Sequence, residues 1–176
     1  MLGCPGCGGV LGPWAWARRR VVRCRAGGVV LVPRRARCRG CAGTHVLLPD
    51  FALLRRRDEV VVIGAAIEAN VRGEGHRRIA GRLGVAKDTV RGWLRRFAVD
   101  REAIRAHFTR WAFALDPEIG AVGPAGGDTA DALEAIAVAV RAWVLRFGPG
   151  PVWPLVAALS GGVLLCNTSC PFPRVR

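Results

Sequence analysis

Four cysteines stand in two matching short spacings, Cys4-Pro5-Gly6-Cys7 and Cys38-Arg39-Gly40-Cys41. A C-x2-C pair is chemically specific because one tight turn aims two thiolates, and nearby backbone amides, at a single point. Two such turns supply the four soft ligands that Zn2+ takes in a closed tetrahedral site. Gly6, Gly8 and Gly40 stand where turns of this kind need a residue without a Cβ. The spacing therefore predicts a structural Zn2+ held by Cys4, Cys7, Cys38 and Cys41, with no open position for a reacting water. A redox centre would ask for one C-x2-C in a βαβ setting, and disulfides for an oxidising compartment. Cys24 belongs to neither C-x2-C turn, stands in an expected strand and reads as a small apolar core residue rather than a ligand. His45 reads as a packing or hydrogen-bonding group that could replace a lost cysteine ligand. Cys166 and Cys170 have C-x3-C spacing without a partner pair and read as incidental.

A second group of residues could do different chemistry. The stretch GHRRIAGRLGVAKDTVRGWLRRF (75–97) places Ile79, Leu83, Val85, Val90, Trp93 and Leu94 at the spacing of two short helices packed across a turn. Ala80 is small where the helices must approach, and Gly84 falls where the turn needs a positive φ. In Ile79, Ala80, Leu83, Gly84, Val85, Val90 and Trp93 this stretch resembles the helix-turn-helix family. The resemblance implies that the second helix, near 87–97, is a recognition helix for the major groove of double-stranded DNA. Its outward residues would be Lys87, Asp88, Thr89, Arg91, Gly92 and Arg95. Arg91 would read a guanine edge, a contact that separates right from wrong bases by roughly 1–3 kcal/mol. Lys87, Arg95, Arg96, Arg77 and Arg78 would meet phosphates. Ala86 stands where the family often has a capping Ser or Thr, which costs the helix start about 1 kcal/mol; Asp88 offsets part of this through the helix dipole. The plainer alternative is a helical hairpin with a solvated basic face.

The elements that must position these groups follow from apolar patterning. Between the cysteine pairs, Val-rich runs over 10–16, 19–25, 29–38 and 44–48 read as strands, with a hairpin turn at Gly27-Gly28. Together with the four cysteines they predict a zinc ribbon. After Pro49 the period changes: 57–73 reads as a helix opened by Asp58 and Glu59 and stopped by Gly73. Further helices are expected over 100–115, 128–147 and 155–165, with a Gly/Pro-rich loop at 120–127. Leu133, Ile136, Val140, Trp143, Val144 and Phe147 mark an apolar stripe that must pack on the preceding helices or on a second subunit. The expected fold class is α+β: a small N-terminal zinc-ribbon β-module over 1–50, a mainly α helix-turn-helix domain over 51–115, and a C-terminal helical region with a loose tail over 116–176.

Charge says where an anion should bind. The formal net charge is +14, carried almost wholly by arginine, with Lys87 as the single lysine. Residues 1–57 hold twelve arginines against Asp50 alone, whereas 111–176 hold four basic and five acidic residues. A cationic surplus of this kind attracts polyanions, nucleic acid above all.

The order of the two motifs is more specific than either alone. A zinc ribbon followed by a helix-turn-helix is similar to the N-terminal targeting region of bacterial insertion-sequence transposases. The chain resembles more closely an actinobacterial family of small proteins that begin with CPxCGG. Those proteins continue through R-x-R-C-x-x-C-x-x-T-H-x-x-L-P and carry GHRRIA…LG…TVRGWLRRF, here Cys4 to Gly9, Arg35 to Pro49 and Gly75 to Phe97. The resemblance implies DNA binding, in a transcriptional regulator or a protein associated with a mobile element. A remnant of a transposase, or a module that binds RNA or the transcription machinery, remains open beside it.

Catalysis is not expected. A transposase nuclease core needs three carboxylates on a fold of more than about 100 residues, and 66 residues follow Arg110. Asp128, Asp131 and Glu134 read as a helix cap and a solvated face. The expected partners are double-stranded DNA and, for a palindromic site, a second copy of the chain, with no small-molecule substrate. The apolar stretch 154–166 is 13 residues long, short of the ~20 that span a bilayer. Met1 leads directly into a cysteine turn rather than a leader of charged and apolar regions. The expected location is the cytoplasm, at the nucleoid, without membrane contact.

Overall fold

Pro33 divides what reads in the sequence as a single strand over 29–38. In the computed structural model, which describes residues 2–166, β3 (Gly27–Leu31) ends before Val32-Pro33 and β4 (Arg34–Cys38) begins after it. Proline lacks an N–H and fixes φ, so the chain leaves one sheet and enters another at that point. β3 pairs antiparallel with β2 (Arg20–Cys24), and β4 lies between β1 (Leu11–Trp16) and β5 (Thr44–Leu47) in a three-stranded antiparallel sheet. Cys24 pairs with Gly27, so the hairpin turn is Arg25-Ala26 rather than Gly27-Gly28. Gly27, at φ 125°, uses its freedom where the chain enters β3, just past the tip.

The chain divides between Pro49 and Asp50 into two units. In the first, Cys4, Val22, Pro33, Ala36 and Cys38 are the buried residues among those described. So few buried side chains supply little hydrophobic stabilisation for almost fifty residues. Something besides a core must hold this unit.

The second unit is helical, with a continuous core. α1 (Val60–Val71) buries Val60, Val62, Ile63, Ala66, Ile67 and Ala69, which is most of its circumference and marks it as the central helix. Gly73, at φ 90°, stops the chain shortly after it. The helices α2 (His76–Leu83) and α3 (Lys87–Val99) follow, separated by three residues. Gly84 takes the left-handed conformation at φ 63°, and the Val85 N–H donates to the Ala80 carbonyl at 3.1 Å. That is a glycine-closed helix end in which the orphan carbonyls find partners. Ile79 and Ala80 of α2 and Val90, Trp93 and Phe97 of α3 are buried in the common core.

The helices α4 (Arg101–Leu115) and α5 (Asp128–Phe147) run parallel. At one end Arg101 pairs with Asp128 at 2.8 Å, and at the other Arg146 donates to the Leu115 carbonyl at 3.2 Å. A parallel pair needs a connection as long as the helix itself, about 22 Å here. The Gly/Pro-rich residues 116–127 provide it. The expected apolar stripe of α5 is only partly the buried one: Ile136 and Val140 are buried, Leu133, Trp143 and Val144 half-buried, and Phe147 exposed. Beside Ile136 and Val140 the buried face takes in Ala132, Ala135, Val138, Ala139 and Ala142. α5 and α6 share the core of α1 to α4 within this chain.

α6 spans Val152–Leu159, three residues earlier than the expected start and six short of the expected end. Pro154 is tolerated in a first turn, and Gly161 and Gly162, at φ 60° and 74°, end the helix where a longer one was expected. Trp153 of α6 lies against Gly64 of α1 and donates its indole N–H to Glu68 Oε1 at 2.7 Å. Trp111 and His107 of α4 both reach the Leu159 carbonyl, at 3.0 and 2.9 Å; burial holds the His107 imidazole below its ordinary pKa. Among the described residues no helix is long and apolar enough to cross a membrane. Cys170 and the expected loose tail lie outside the described residues.

Candidate functional site

The two cysteine turns have one geometry. In the first, the Cys4 N–H donates to the Gly9 carbonyl and the Gly8 N–H to the Cys4 carbonyl, both at 2.8 Å. In the second, the Cys38 N–H donates to Gly43 at 2.8 Å and the Ala42 N–H to Cys38 at 3.1 Å. The residue after the second cysteine of each turn has a positive φ, 73° at Gly8 and 59° at Ala42. Gly6 and Gly40, expected where a residue without a Cβ is needed, do not have a positive φ. The Gly40 N–H instead donates to Cys38 Sγ at 3.3 Å. Gly9 is constrained by space: a Cβ there would stand 3.1 Å from Cys38 Sγ and 3.3 Å from Cys7 Sγ.

β1 leaves the first turn, β4 delivers the second, and their pairing brings the two together, with Leu11 opposite Cys38. The four Sγ atoms lie within 4.8 Å of one another, including 3.7 Å for Cys4 to Cys41 and 3.4 Å for Cys7 to Cys38. A tetrahedral ion with Zn–S of about 2.3 Å requires sulfurs about 3.8 Å apart. The four cysteines therefore fit a metal ion, and a thiolate set of this composition is compatible with zinc. The electrostatics of the bare cluster agree. The Cys41 N–H, opposed by burial and helped by the Gly40 N–H and the neighbouring thiols, lowers the Cys38 thiol to a pKa of about 6. Cys41 receives a hydrogen bond from Gly43 that favours its thiolate, but Cys7, Cys38 and Cys4 outweigh it and push the thiol up to about 11. Four adjacent sulfurs cannot all carry charge without a cation between them.

His45 on β5 is half-buried, with Nε2 3.3 Å from Cys4 Sγ. It lies beside the sulfurs and outside the set of four, in the place of a hydrogen-bonding neighbour. Cys24, half-buried on β2, reaches the Val22 carbonyl at 3.9 Å and is not part of the cluster.

The cationic residues of α2 and α3 sort by burial. Lys87, Asp88, Arg91 and Arg95 are exposed on α3, Arg77 and Arg78 are exposed at the start of α2, and Thr89 and Arg96 are half-buried. Lys87, Arg91 and Arg95 recur every fourth residue and so form one row along the helix. Among the described residues none of these three is held in an ion pair. Arg96 is half-buried, close enough to the buried Asp100 and to Arg56 for its charge to influence both. Burial, opposed by Arg96, raises the Asp100 carboxyl above its ordinary pKa. Arg82 is taken up by Glu74 at 2.9 Å and Arg72 lies 3.9 Å from Glu68. The helix starts at Ala86 without a side-chain cap, with Asp88 in its first turn.

Sequence reading did not single out the arginine–tryptophan stacks of the β-module. Arg34 lies over the Trp16 ring at 4.2 Å and Arg37 over Trp14 at 4.6 Å. The W-x-W of β1 and the R-R-x-R of β4 are both legible, but only the strand register couples them.

A family model described as a domain of unknown function (DUF6431) matches residues 4–97. The span opens on the first clustered cysteine and closes on Phe97, in α3. No curated protein and no solved structure matches the chain.

Proposed function

The chain belongs to the DUF6431 family, and on that premise we propose that it is a zinc-stabilised protein that binds double-stranded DNA in a sequence-specific way. In this reading Cys4, Cys7, Cys38 and Cys41 hold a structural Zn2+ that pins the β-module, a zinc ribbon. α2 and α3 form a helix-turn-helix whose second helix enters the major groove. Arg91 meets a guanine edge, Lys87 and Arg95 follow the backbone, and Arg77 and Arg78 reach phosphates from α2. Arg96 serves less directly, because it is half-buried where Arg91 and Arg95 are exposed. The arrangement suits a transcriptional regulator or the targeting part of a mobile element.

The observation that carries the reading is the two-sidedness of α3. Val90, Trp93 and Phe97 anchor one side in the core, and the opposite side offers three cations, none of them held by a carboxylate. A solvated basic face is common, but one that follows a glycine-closed turn of three residues has the geometry needed to present a helix to a groove.

Selection of bound sequences from a random duplex pool, with Arg91→Ala alongside, tests it. The wild-type chain should enrich one motif, and the variant should relax one position of it while losing roughly 5- to 100-fold in affinity for the motif. With several phosphate contacts, affinity should also fall ~10³-fold or more between 50 and 200 mM salt. No enrichment together with a flat salt response would overturn the proposal.

A further inference from the structure

Residues 1–49 contain nine arginines and no aspartate or glutamate. Two of them lie over tryptophans of β1, Arg34 on Trp16 and Arg37 on Trp14. β1 is an edge strand of its sheet. Trp16 stands directly opposite Arg34 in the register, whereas Trp14 is the extra residue of a β-bulge between Pro13 and Ala15. A bulge re-aims the side chain it carries, and here that ring meets Arg37. Although each indole has a guanidinium over it, Trp14 and Trp16 remain 55% and 58% exposed. Two large aromatic surfaces left in water beside positive charge are informative in a way that single exposed apolar residues are not.

The partner that fits must offer flat π-faces and a regular negative charge together. A duplex keeps its base faces stacked against one another and presents edges only. An acidic protein segment brings charge without planar faces. An unpaired strand brings both, one phosphate and one base per residue, and aromatic stacking within a positive groove is how such strands are held without sequence preference. We propose that the β1 edge of the sheet is a binding site for single-stranded DNA. Arg34 and Arg37 are three residues apart on a regular strand and so serve opposite faces. A DNA strand crossing the edge stacks unpaired bases on Trp16 on one face and Trp14 on the other, with the guanidinium behind each ring adding the positive charge that draws the phosphates. The choice of DNA over RNA rests on the function proposed above; the stacking site does not. The guanidinium beneath each ring holds it in place and adds positive charge to the stack.

Binding of the full, zinc-loaded chain to labelled oligothymidine, oligouridine and a blunt mixed-sequence duplex tests this. The Trp14→Ala/Trp16→Ala variant should lose about ten-fold or more in affinity for oligothymidine, while duplex affinity stays within about two-fold. Trp14→Phe/Trp16→Phe should retain most of the single-strand binding, because a smaller ring still stacks. An unchanged zinc content shows that each variant is folded. On a duplex carrying the selected motif, Arg91→Ala should behave in the opposite sense, weakening the duplex and sparing the single strand, so failure of the groove-binding reading is separable from failure of this one. Oligothymidine binding indifferent to both tryptophans would overturn the site. An equal loss on the duplex would overturn its preference for single strands. Tighter tryptophan-dependent binding of oligouridine would overturn the assignment to DNA.

Discussion

The two units solve the same stability problem by different means. Residues 50–166 bury a run of large side chains, from Leu53 and Ile63 through Phe97 and Phe108 to Leu165. Residues 2–49 bury five residues, and two of those are cysteines of the sulfur cluster. The helical unit can spread its stability over many contacts of similar worth. The β-module concentrates it at one point, where two turns of equal geometry meet. The comparison teaches that, on the proposed reading, a surface rich in arginine and exposed tryptophan is affordable because a bound metal would do the folding in place of a core. Val21, Val30 and Val32 on the β-module are likewise exposed.

The largest expected effect comes from taking the metal away. A structural zinc in a small module supplies an apparent ~10–16 kcal/mol at neutral pH. Chelation, or Cys38→Ser, should therefore unfold residues 2–49 while the helical unit keeps its circular dichroism and its cooperative thermal transition. Hydrogen exchange followed segment by segment reads the two separately. A β-module still protected after chelation would break the comparison at its root.

A smaller effect, confined to the helical unit, is expected from Gly64→Ala. In an exposed helix this change stabilises by about 1 kcal/mol through propensity. At position 64 the new Cβ would fall on the indole of Trp153, a ring that is buried and tied to Glu68. Overpacking of that kind costs about 1–3 kcal/mol or more, so the net effect should be destabilising. It should appear as a lower Tm of the helical transition with an unchanged zinc content. Stabilisation instead would mean that Trp153 is free to move.

The smallest effect sharpens the comparison from the other side. Ala42 holds a left-handed φ of 59° at the position where the first turn has Gly8. An L-residue there carries about 1–2 kcal/mol of strain, part of which glycine returns as lost chain entropy on folding. Ala42→Gly should therefore stabilise the β-module by roughly 0.5–1 kcal/mol. Competition with a chelator of known affinity would register it as modestly tighter metal retention, with no change in the helical unit.

Much of the candidate site is legible in the sequence because its signals are local. The C-x2-C spacing is a property of one turn, and the two turns had only to meet. The α5 boundaries follow from Asp128 in the first turn and Gly148 past the end. Gly84 announces a left-handed residue within a stretch of about twenty. What failed to read depended on partners far along the chain. The run 29–38 is apolar and basic throughout, and nothing in its periodicity says that its halves serve different sheets. The register of β1 on β4 decided which arginine lies over which tryptophan, through a bulge with no sequence mark. The four alanines on the buried face of α5 do not stand out until its neighbours are known, because a stripe of large residues is the stronger pattern in isolation.

Composition, spacing and turn chemistry by themselves determined that this protein carries a four-cysteine cluster on short strands, a glycine-closed helical pair with a cationic face, and a positive charge weighted toward its first half. These are consequences of short-range sterics and valence, which a few neighbouring residues settle. Tertiary structure alone decided that α4 and α5 run parallel, that Arg96 is half-buried while Arg91 and Arg95 are exposed, and that two tryptophans stand exposed under guanidinium groups. Each of those depends on which distant surfaces compete for the same side chain, and burial settles that competition only when the whole unit has closed around it.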